Sequence, residues 1–129
     1  MIIKINTSLG ELLDKISILK VKLEKVSDKE KLININTEYQ TLNEALDKIN
    51  LLDVAKYLEM LYNINLSLWN IEDNIRKKEK AKAFDEEFIL LARSVYKTND
   101  KRFEIKNEIN MKYGSDIKEE KEYEDYNEN

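Results

Sequence analysis

The 129-residue chain contains no cysteine, no histidine and no proline, and it contains only two glycines. Without cysteine and histidine it cannot form a disulfide, a zinc finger, a thiol nucleophile or a Ser-His-Asp triad. All-β and α/β folds need more turn residues than this chain supplies, whereas long helices joined by short polar loops need almost none. The missing residues therefore favour an all-α fold.

Long apolar runs and a surplus of positive charge are missing too. No stretch approaches the roughly 18 apolar residues of a membrane span, and Met1 to Thr7 lack the apolar core of a signal peptide. The net charge is −4, without the basic face of a nucleic-acid binder. We predict a cytoplasmic protein with no membrane span and no nucleic-acid partner. From Ser115 onward seven acids and two lysines give −5, so we divide the chain into a helical bundle domain (1–114) and an acidic C-terminal tail (115–129).

What the chain does contain is apolar residues at helical spacing. After a short extended N-terminus, Ser8 to Glu11 form a capping box, and apolar residues then recur every three or four positions as far as Val26. A second box, Ser27 to Glu30, predicts the start of another helix, whose apolar stripe continues to Ile49. The first half of the chain therefore reads as two amphipathic helices.

The second half predicts two longer helices. Asn50 or Asp53 can cap the third helix, which should break within the lysine-rich segment 77–83. Asp85 is the predicted cap of the fourth helix and Gly114 its stop. The tail should be partly disordered, or a short helix with Tyr123 and Tyr126 docked on the body. We predict an antiparallel bundle of about four amphipathic helices, as two helical hairpins, with room for a homodimer that completes the core.

Arginine is the scarce basic residue: 19 of the 22 basic residues are lysine, and the three arginines are Arg76, Arg93 and Arg102. Folding the last two helices back at about residue 82 gathers all three into one arginine–acid zone. In that pairing Glu72 and Asp73 lie level with Arg93, Trp69 lies level with Val95 and Tyr96, and Asn65 lies level with Asn99. The planar guanidinium suits carboxylates and phosphates in a way that lysine does not. The arginines therefore either pair with internal carboxylates or hold an anionic ligand.

A second polar group lies near the start of the first helix. Glu11, Asp14, Lys15 and Lys22 are solvated charges beside a capping box, or else Asp14 and Lys15 face the arginine zone and add to a site. A helical magnesium pyrophosphohydrolase would need two pairs of acids on different helices. Only the Glu11-Leu-Leu-Asp14 half is present, so we predict no metal site, and no cofactor can be assigned.

Three segments carry a resemblance to a known family: Gly10-Glu-Leu-Leu-Asp-Lys-Ile-Ser-Ile-Leu19, Leu68-Trp-Asn-Ile-Glu-Asp-Asn-Ile-Arg76 and Leu91-Ala-Arg-Ser-Val-Tyr-Lys-Thr-Asn-Asp-Lys-Arg102. They resemble the bacterial family called domain of unknown function 6165, over most of the chain. The resemblance implies the signature positions Glu11, Asp14, Lys15, Trp69, Glu72, Asp73, Arg76, Arg93, Tyr96, Asn99, Asp100 and Arg102. It also implies a small bacterial protein associated with cell-surface polysaccharide genes, which points to a glycan pathway by association only.

The sequence predicts a binding or interaction module whose partner is a protein or an anionic small ligand, held through the arginine–acid zone. The alternative is an enzyme that acts on a phosphorylated or nucleotide-linked sugar. In that alternative the arginines hold the anion, and Asp14, Glu72 or Asp73 supplies a base or a metal ligand. The sequence alone does not decide between a module and an enzyme.

Overall fold

The computed structural model describes residues 1–127, which form four α-helices and no strand. The helices are α1 (Leu9–Lys25), α2 (Lys29–Asp47), α3 (Val54–Lys80) and α4 (Glu86–Tyr113). Helix α1 packs against each of the other three, and α3 packs along α4. The predicted all-α bundle of two helical hairpins is confirmed, with α1 as the helix that joins the two hairpins.

The apolar stripes of the sequence meet in one core. Its buried side chains come from all four helices: Leu13, Ile16, Leu46, Tyr57, Leu61 and Ile109. Burying one such side chain stabilises the fold by roughly 1.5–3 kcal/mol. Helix α2 contributes least, because Leu46 is its one buried residue.

The start of α1 forms as the sequence predicts, although only half of the capping box is made. The Ser8 hydroxyl oxygen accepts a hydrogen bond from the Glu11 amide at 3.1 Å. The Glu11 side chain does not complete the box, because its carboxylate accepts instead from the ammonium group of Lys106 at 2.8 Å. The first residue of the capping box thus caps α1, while the carboxylate of the last pairs with α4 instead.

The predicted capping residue of α2 is wrong by one position. Asp28, not Ser27, is the N-cap, and its carboxylate accepts from the Lys31 amide at 3.0 Å. The reason is geometric: a helix that begins at Lys29 places its third amide three residues after Asp28.

The α3–α4 hairpin reverses where the sequence predicts. Asp85 caps α4 by accepting from the Phe88 amide at 2.9 Å, and Lys78 reaches across the connection to Asp85 at 2.9 Å. The Phe88 amide and then the Lys78 ammonium lower the pKa of Asp85. Further along, the Tyr57 hydroxyl donates to Glu108 at 3.3 Å. These two residues are equally far from the junction of residues 82 and 83, which confirms a reversal near residue 82.

The C-terminal segment runs back along α4. Gly114 ends the helix with a left-handed φ of 65°, as predicted. Residues 115–127 contain no helix, so the predicted short helix is absent from this segment. The Tyr126 ring meets the Tyr96 ring edge-on at 5.0 Å but remains 44 % exposed, and Tyr123 is 79 % exposed. Residues 128 and 129 of the predicted tail lie outside the described residues.

The chain has a short N-terminal segment before α1. Residues 1–7 form neither helix nor strand and are exposed. Within residues 1–127 no helix is both long enough and apolar enough to cross a membrane.

Candidate functional site

A cluster of buried polar side chains joins α1, α3 and α4. The Asn65 amide nitrogen donates to the Asp14 carboxylate at 2.9 Å and to the Ser17 hydroxyl at 2.8 Å. The Asn65 oxygen accepts from the Arg102 guanidinium at 3.2 Å. Asp14, Ser17 and Asn65 are at most 5 % exposed. Because both amide hydrogens of Asn65 already have acceptors, its oxygen must face Arg102. We call these four residues the polar junction.

Lys106 lies beside the polar junction and is surrounded by carboxylates. Its ammonium group is 2.8 Å from Glu11, 3.3 Å from Glu119 and 3.9 Å from Asp14. Burial lowers the pKa of Lys106, but the hydrogen bond to Glu11 and the charges of Asp14 and Glu119 outweigh it, so the pKa is raised. Lys106 is therefore charged, and it compensates the buried carboxylate of Asp14.

The buried part of the arrangement is closed. Among the described residues no buried side-chain nitrogen or oxygen lacks a hydrogen-bond partner. Asp14 and Glu11 thus have internal partners: Glu11 pairs with Lys106, and Asp14 is joined to Arg102 through Asn65. Lys15, by contrast, is exposed.

An open cleft of about 540 Å³ lies beside the polar junction and shares Asn65 and Arg102 with it. Its lining comes from α1, α3 and α4: Ile18, Val21, Asn65, Leu68, Trp69, Glu72, Asp73, Arg76, Asn99 and Arg102. We call it the Trp69 cleft. Two acids and two arginines line it, so the formal charges of its lining cancel.

The ion pairs at the rim of the Trp69 cleft are weak. Arg76 lies 3.5 Å from Glu72, and Lys77 lies 3.1 Å from Asp73. Both pairs are four residues apart on α3 and exposed, so each stabilises the fold by only about 0.3–0.5 kcal/mol. A ligand can therefore recruit these side chains at little cost.

Two further cavities adjoin the Trp69 cleft. The first, of about 350 Å³, is lined by Glu11, Asp14, Lys15, Ile18, Leu19, Lys22, Glu38, Arg102, Lys106 and Glu119; we call it the Lys106 cavity. The second, of about 330 Å³, is lined by Val95, Tyr96, Asn99, Asp100, Arg102, Lys121 and Tyr123; we call it the Tyr96 cavity. Arg102 lines all three spaces and is the residue at which they meet.

Most of the predicted site residues are brought to these spaces. The Trp69 cleft receives six of them, Trp69, Glu72, Asp73, Arg76, Asn99 and Arg102. The Lys106 cavity receives Glu11, Asp14 and Lys15, and the Tyr96 cavity receives Tyr96 and Asp100. Arg93 is exposed on α4 and lines none of the three.

The predicted facing pairs differ in detail. Asn65 bonds Arg102, almost one helical turn beyond the expected Asn99. Glu72 pairs with Arg76 instead of Arg93. Counting back from the connection fixes the level of two residues along the helices, but it does not fix the rotation of each helix about its axis.

Sequence reasoning missed Lys106, Ser17, Asn110 and Glu119. A signal for two of them was present, because Arg102, Lys106 and Asn110 recur every four residues on α4 and so form one polar stripe. Asn110 uses this position to accept from the Gly10 amide at 2.7 Å, which holds α1 against α4. No periodicity marks Glu119, because it lies outside the helices.

The comparison with protein families gives a match over nearly the whole chain. A family described as a family of unknown function (DUF6165) matches residues 3–127. The chain belongs to the DUF6165 family. No curated protein and no solved structure matches it. In this DUF6165 protein the polar junction, the three cavities and the returning tail all lie within the matched range.

The chemistry that these spaces can support follows from Arg102. Among residues 1–127 no carboxylate oxygen lies within 4.0 Å of its guanidinium group, although the side chain is half-buried. A guanidinium has five N–H donors, and Asn65 accepts a bond from one nitrogen. The same described residues contain no group of three or more carboxylates placed to hold a metal ion. What Arg102 offers at the cleft is its remaining N–H donors, which can bind carboxylate or phosphate oxygens.

Proposed function

We propose that this DUF6165 protein is a binding module that holds a small anionic ligand in the Trp69 cleft, with Arg102 as its principal contact. The observation that carries the proposal is the set of partners that Arg102 has. Its guanidinium is half-buried, fixed from the interior by Asn65 and without a carboxylate partner among the described residues. Such a group gains most from a carboxylate or phosphate that can accept two parallel hydrogen bonds.

The rest of the lining supports a ligand that carries a ring as well as an anion. Trp69 offers a flat apolar surface, and Asn99 offers an amide donor and acceptor. Glu72 and Asp73 can accept hydrogen bonds from ligand hydroxyl groups. A volume of about 540 Å³ falls within the range of roughly 300–1,000 Å³ typical of small-molecule sites.

The experiment uses the single tryptophan of the chain as its reporter. Trp69 is the only tryptophan, and it lines the cleft. Titration with phosphate, sugar phosphates and nucleotide sugars should change its fluorescence in a saturable way. Arg102→Lys should weaken the tightest of these about tenfold or more, because a point charge cannot replace the planar fork.

Arg93→Lys is the matched control, since it makes the same change on the same helix outside the three cavities. It should bind as tightly as the unaltered chain. Equal loss of affinity in both variants, or no saturable response to any of these anions, would count against the proposal.

The enzyme alternative rests on Glu72 and Asp73, whose carboxylates line the same cleft as Arg102. If one of them acts as a base, a bound phosphorylated or nucleotide-linked sugar is converted and Glu72→Gln or Asp73→Asn stops the conversion. Analysing the incubated ligand for new products decides the question. Binding without any product supports the module, and product loss in either variant supports the enzyme.

We extend the proposal to self-association. Phe84, Ile89 and Leu90, at the turn of the α3–α4 hairpin, are each more than half exposed. Covering them in a homodimer, or with a partner protein, would remove apolar surface from water. Light scattering on the purified chain should give twice the mass of one chain, and Leu90→Glu should halve it.

We also propose a cytoplasmic location and a role in bacterial cell-surface polysaccharide synthesis. The support for the first is a chain without cysteine, and the support for the second is the resemblance described above. The nucleotide sugars in the titration test the second proposal directly.

A further inference from the structure

Glu119 is the one charged residue of the Lys106 cavity that does not belong to a helix. Its carboxylate reaches the Lys106 ammonium at 3.3 Å from the irregular segment after Gly114. The Lys106 side chain is 6 % exposed and that of Glu119 is 38 % exposed. A buried cation is thus completed by an anion that approaches it from the surface.

The charges of the Lys106 cavity balance only when Glu119 is in place. Its lining contains four bases and four acids: Lys15, Lys22, Arg102 and Lys106 against Glu11, Asp14, Glu38 and Glu119. The other seven residues are held by α1, α2 and α4. When the tail moves away, the helices alone leave one positive charge in excess, and an anion from solution can restore the balance.

The Lys106 cavity is continuous with the proposed ligand cleft. The two spaces share Ile18 and Arg102. Arg102 and Lys106 are four residues apart on α4, so they lie on one face of the helix. An anion at Arg102 that carries a second anionic group beside it would place that group at Lys106.

Little holds Glu119 in this position. Its own carboxylate is 38 % exposed, and Lys106 keeps Glu11 at 2.8 Å and Asp14 at 3.9 Å when Glu119 leaves, so the buried ammonium group is not left without a carboxylate. The other contacts of residues 118–126 are at the surface: the Lys121 ammonium lies 5.1 Å from the Phe103 ring, Lys118 lies 3.3 Å from the Met111 sulfur, and Tyr126 meets the Tyr96 ring and hydrogen-bonds to Asp100. Displacing this segment costs less than opening any helix contact of the core.

We propose that the Lys106 cavity is a second anion site, which Glu119 occupies until a ligand with two neighbouring anionic groups displaces it. The ligand class is a diphosphate, with one group at Arg102 and the other at Lys106. The inference rests on the proposed function, because it needs Arg102 to hold the first group.

The test measures the binding of inorganic pyrophosphate to the full chain by titration calorimetry. Glu119→Gln removes the competing charge at constant size, and Glu120→Gln is the matched control, since it removes one charge from an exposed neighbour that has no ion pair among residues 1–127. Glu119→Gln should bind pyrophosphate about fivefold more tightly or better, since about 1 kcal/mol corresponds to such a factor. Glu120→Gln should bind like the unaltered chain.

Equal pyrophosphate affinities of Glu119→Gln and Glu120→Gln would overturn the second site. Arg102→Gln separates this failure from failure of the proposed function. If Arg102→Gln no longer binds pyrophosphate while Glu119→Gln and Glu120→Gln bind it equally well, the proposed function stands and the second site falls. If Arg102→Gln binds as tightly as the unaltered chain, the proposed function falls.

Hydrogen exchange gives an independent reading of displacement. Pyrophosphate should increase exchange at residues 115–127 while it slows exchange in α4 around Arg102. An unchanged or slower rate in residues 115–127 would overturn displacement of the tail, whatever the affinities.

Discussion

The carboxamide of Asn65 accepts a hydrogen bond from the guanidinium of Arg102 at 3.2 Å, and through its own nitrogen it holds the buried carboxylate of Asp14. One side chain on α3 therefore connects the interior of α1 with a cleft-lining residue of α4. The position of Arg102 depends on this bond, because no carboxylate among residues 1–127 holds it.

Replacing Asn65 by Ala should therefore destabilise the fold and weaken ligand binding together. The change removes the amide nitrogen that donates to Asp14 and Ser17, and the amide oxygen that accepts from Arg102. Leaving buried polar groups without a partner costs about 1–3 kcal/mol. Urea unfolding measures the loss, and Asn70→Ala, on the exposed face of α3, is the control. Equal midpoints for the two variants would mean that the polar junction carries no stability.

The two glycines should respond to alanine for different reasons. A methyl group at Gly10 would lie 2.6 Å from the Lys106 carbonyl oxygen, so α1 and α4 would have to separate. At Gly114 the space is open, but φ is +65°, which strains any residue with a side chain. We expect Gly10→Ala to cost about 1–3 kcal/mol and Gly114→Ala about 1 kcal/mol. Urea midpoints that are unchanged for Gly10→Ala would contradict the close approach.

Lys106 should make the stability of the fold depend on alkaline pH. Its pKa in the folded chain is raised above 10.5, so the folded state holds the proton more tightly than the unfolded state. The stabilisation is complete below the unfolded pKa and is lost as the pH rises through the folded pKa. Lys106→Met should therefore cost about 3 kcal/mol near neutral pH.

The same reasoning predicts that the difference in unfolding free energy between the unaltered chain and Lys106→Met becomes smaller above pH 10.5. Unfolding in urea at a series of pH values measures it. Lys101→Met, an exposed lysine on the same helix, should show a small difference that does not change with pH. A constant difference for Lys106→Met would show that its charge contributes nothing.

The start of α2 offers a test of the corrected cap. Asp28→Ala removes the oxygen that accepts from the Lys31 amide, and we expect a loss of about 1 kcal/mol. Ser27→Ala should change the unfolding free energy by less than about 0.5 kcal/mol, because Ser27 is exposed and is not the cap. The opposite order in thermal unfolding would restore the capping box that the sequence predicted.

The helices and the core could be predicted from the sequence because their signals are local. Ser8, Asp85 and Gly114 mark helix ends by their own side chains or backbone freedom, and the apolar spacing around Leu13, Leu61 and Ile109 marks the buried faces. These signals need no knowledge of the neighbouring helices.

The site could be predicted only in part, because it depends on how the helices are rotated. The sequence placed Trp69 and Glu72 in one zone with the arginines, but it set Glu72 level with Arg93, which is exposed, and Asn65 level with Asn99 instead of Arg102. Glu119 was beyond reach, because its position depends on a segment without periodicity. Local patterns thus find the helices that carry a site before they find the contacts within it.

The buried bond between Asn65 and Asp14 also limits how the bundle can assemble. Sliding α1 along α3 by one helical turn, about 5.4 Å, would still bring apolar side chains together. It would, however, leave the Asp14 carboxylate buried without its Asn65 donor. The free energy of a misaligned bundle is therefore raised far more than it would be in a bundle with a purely apolar interface. Replacing Asp14 and Asn65 together by leucine should keep the helices but broaden the methyl NMR signals, as several alignments interconvert. Sharp signals from that double variant would show that packing alone selects the alignment.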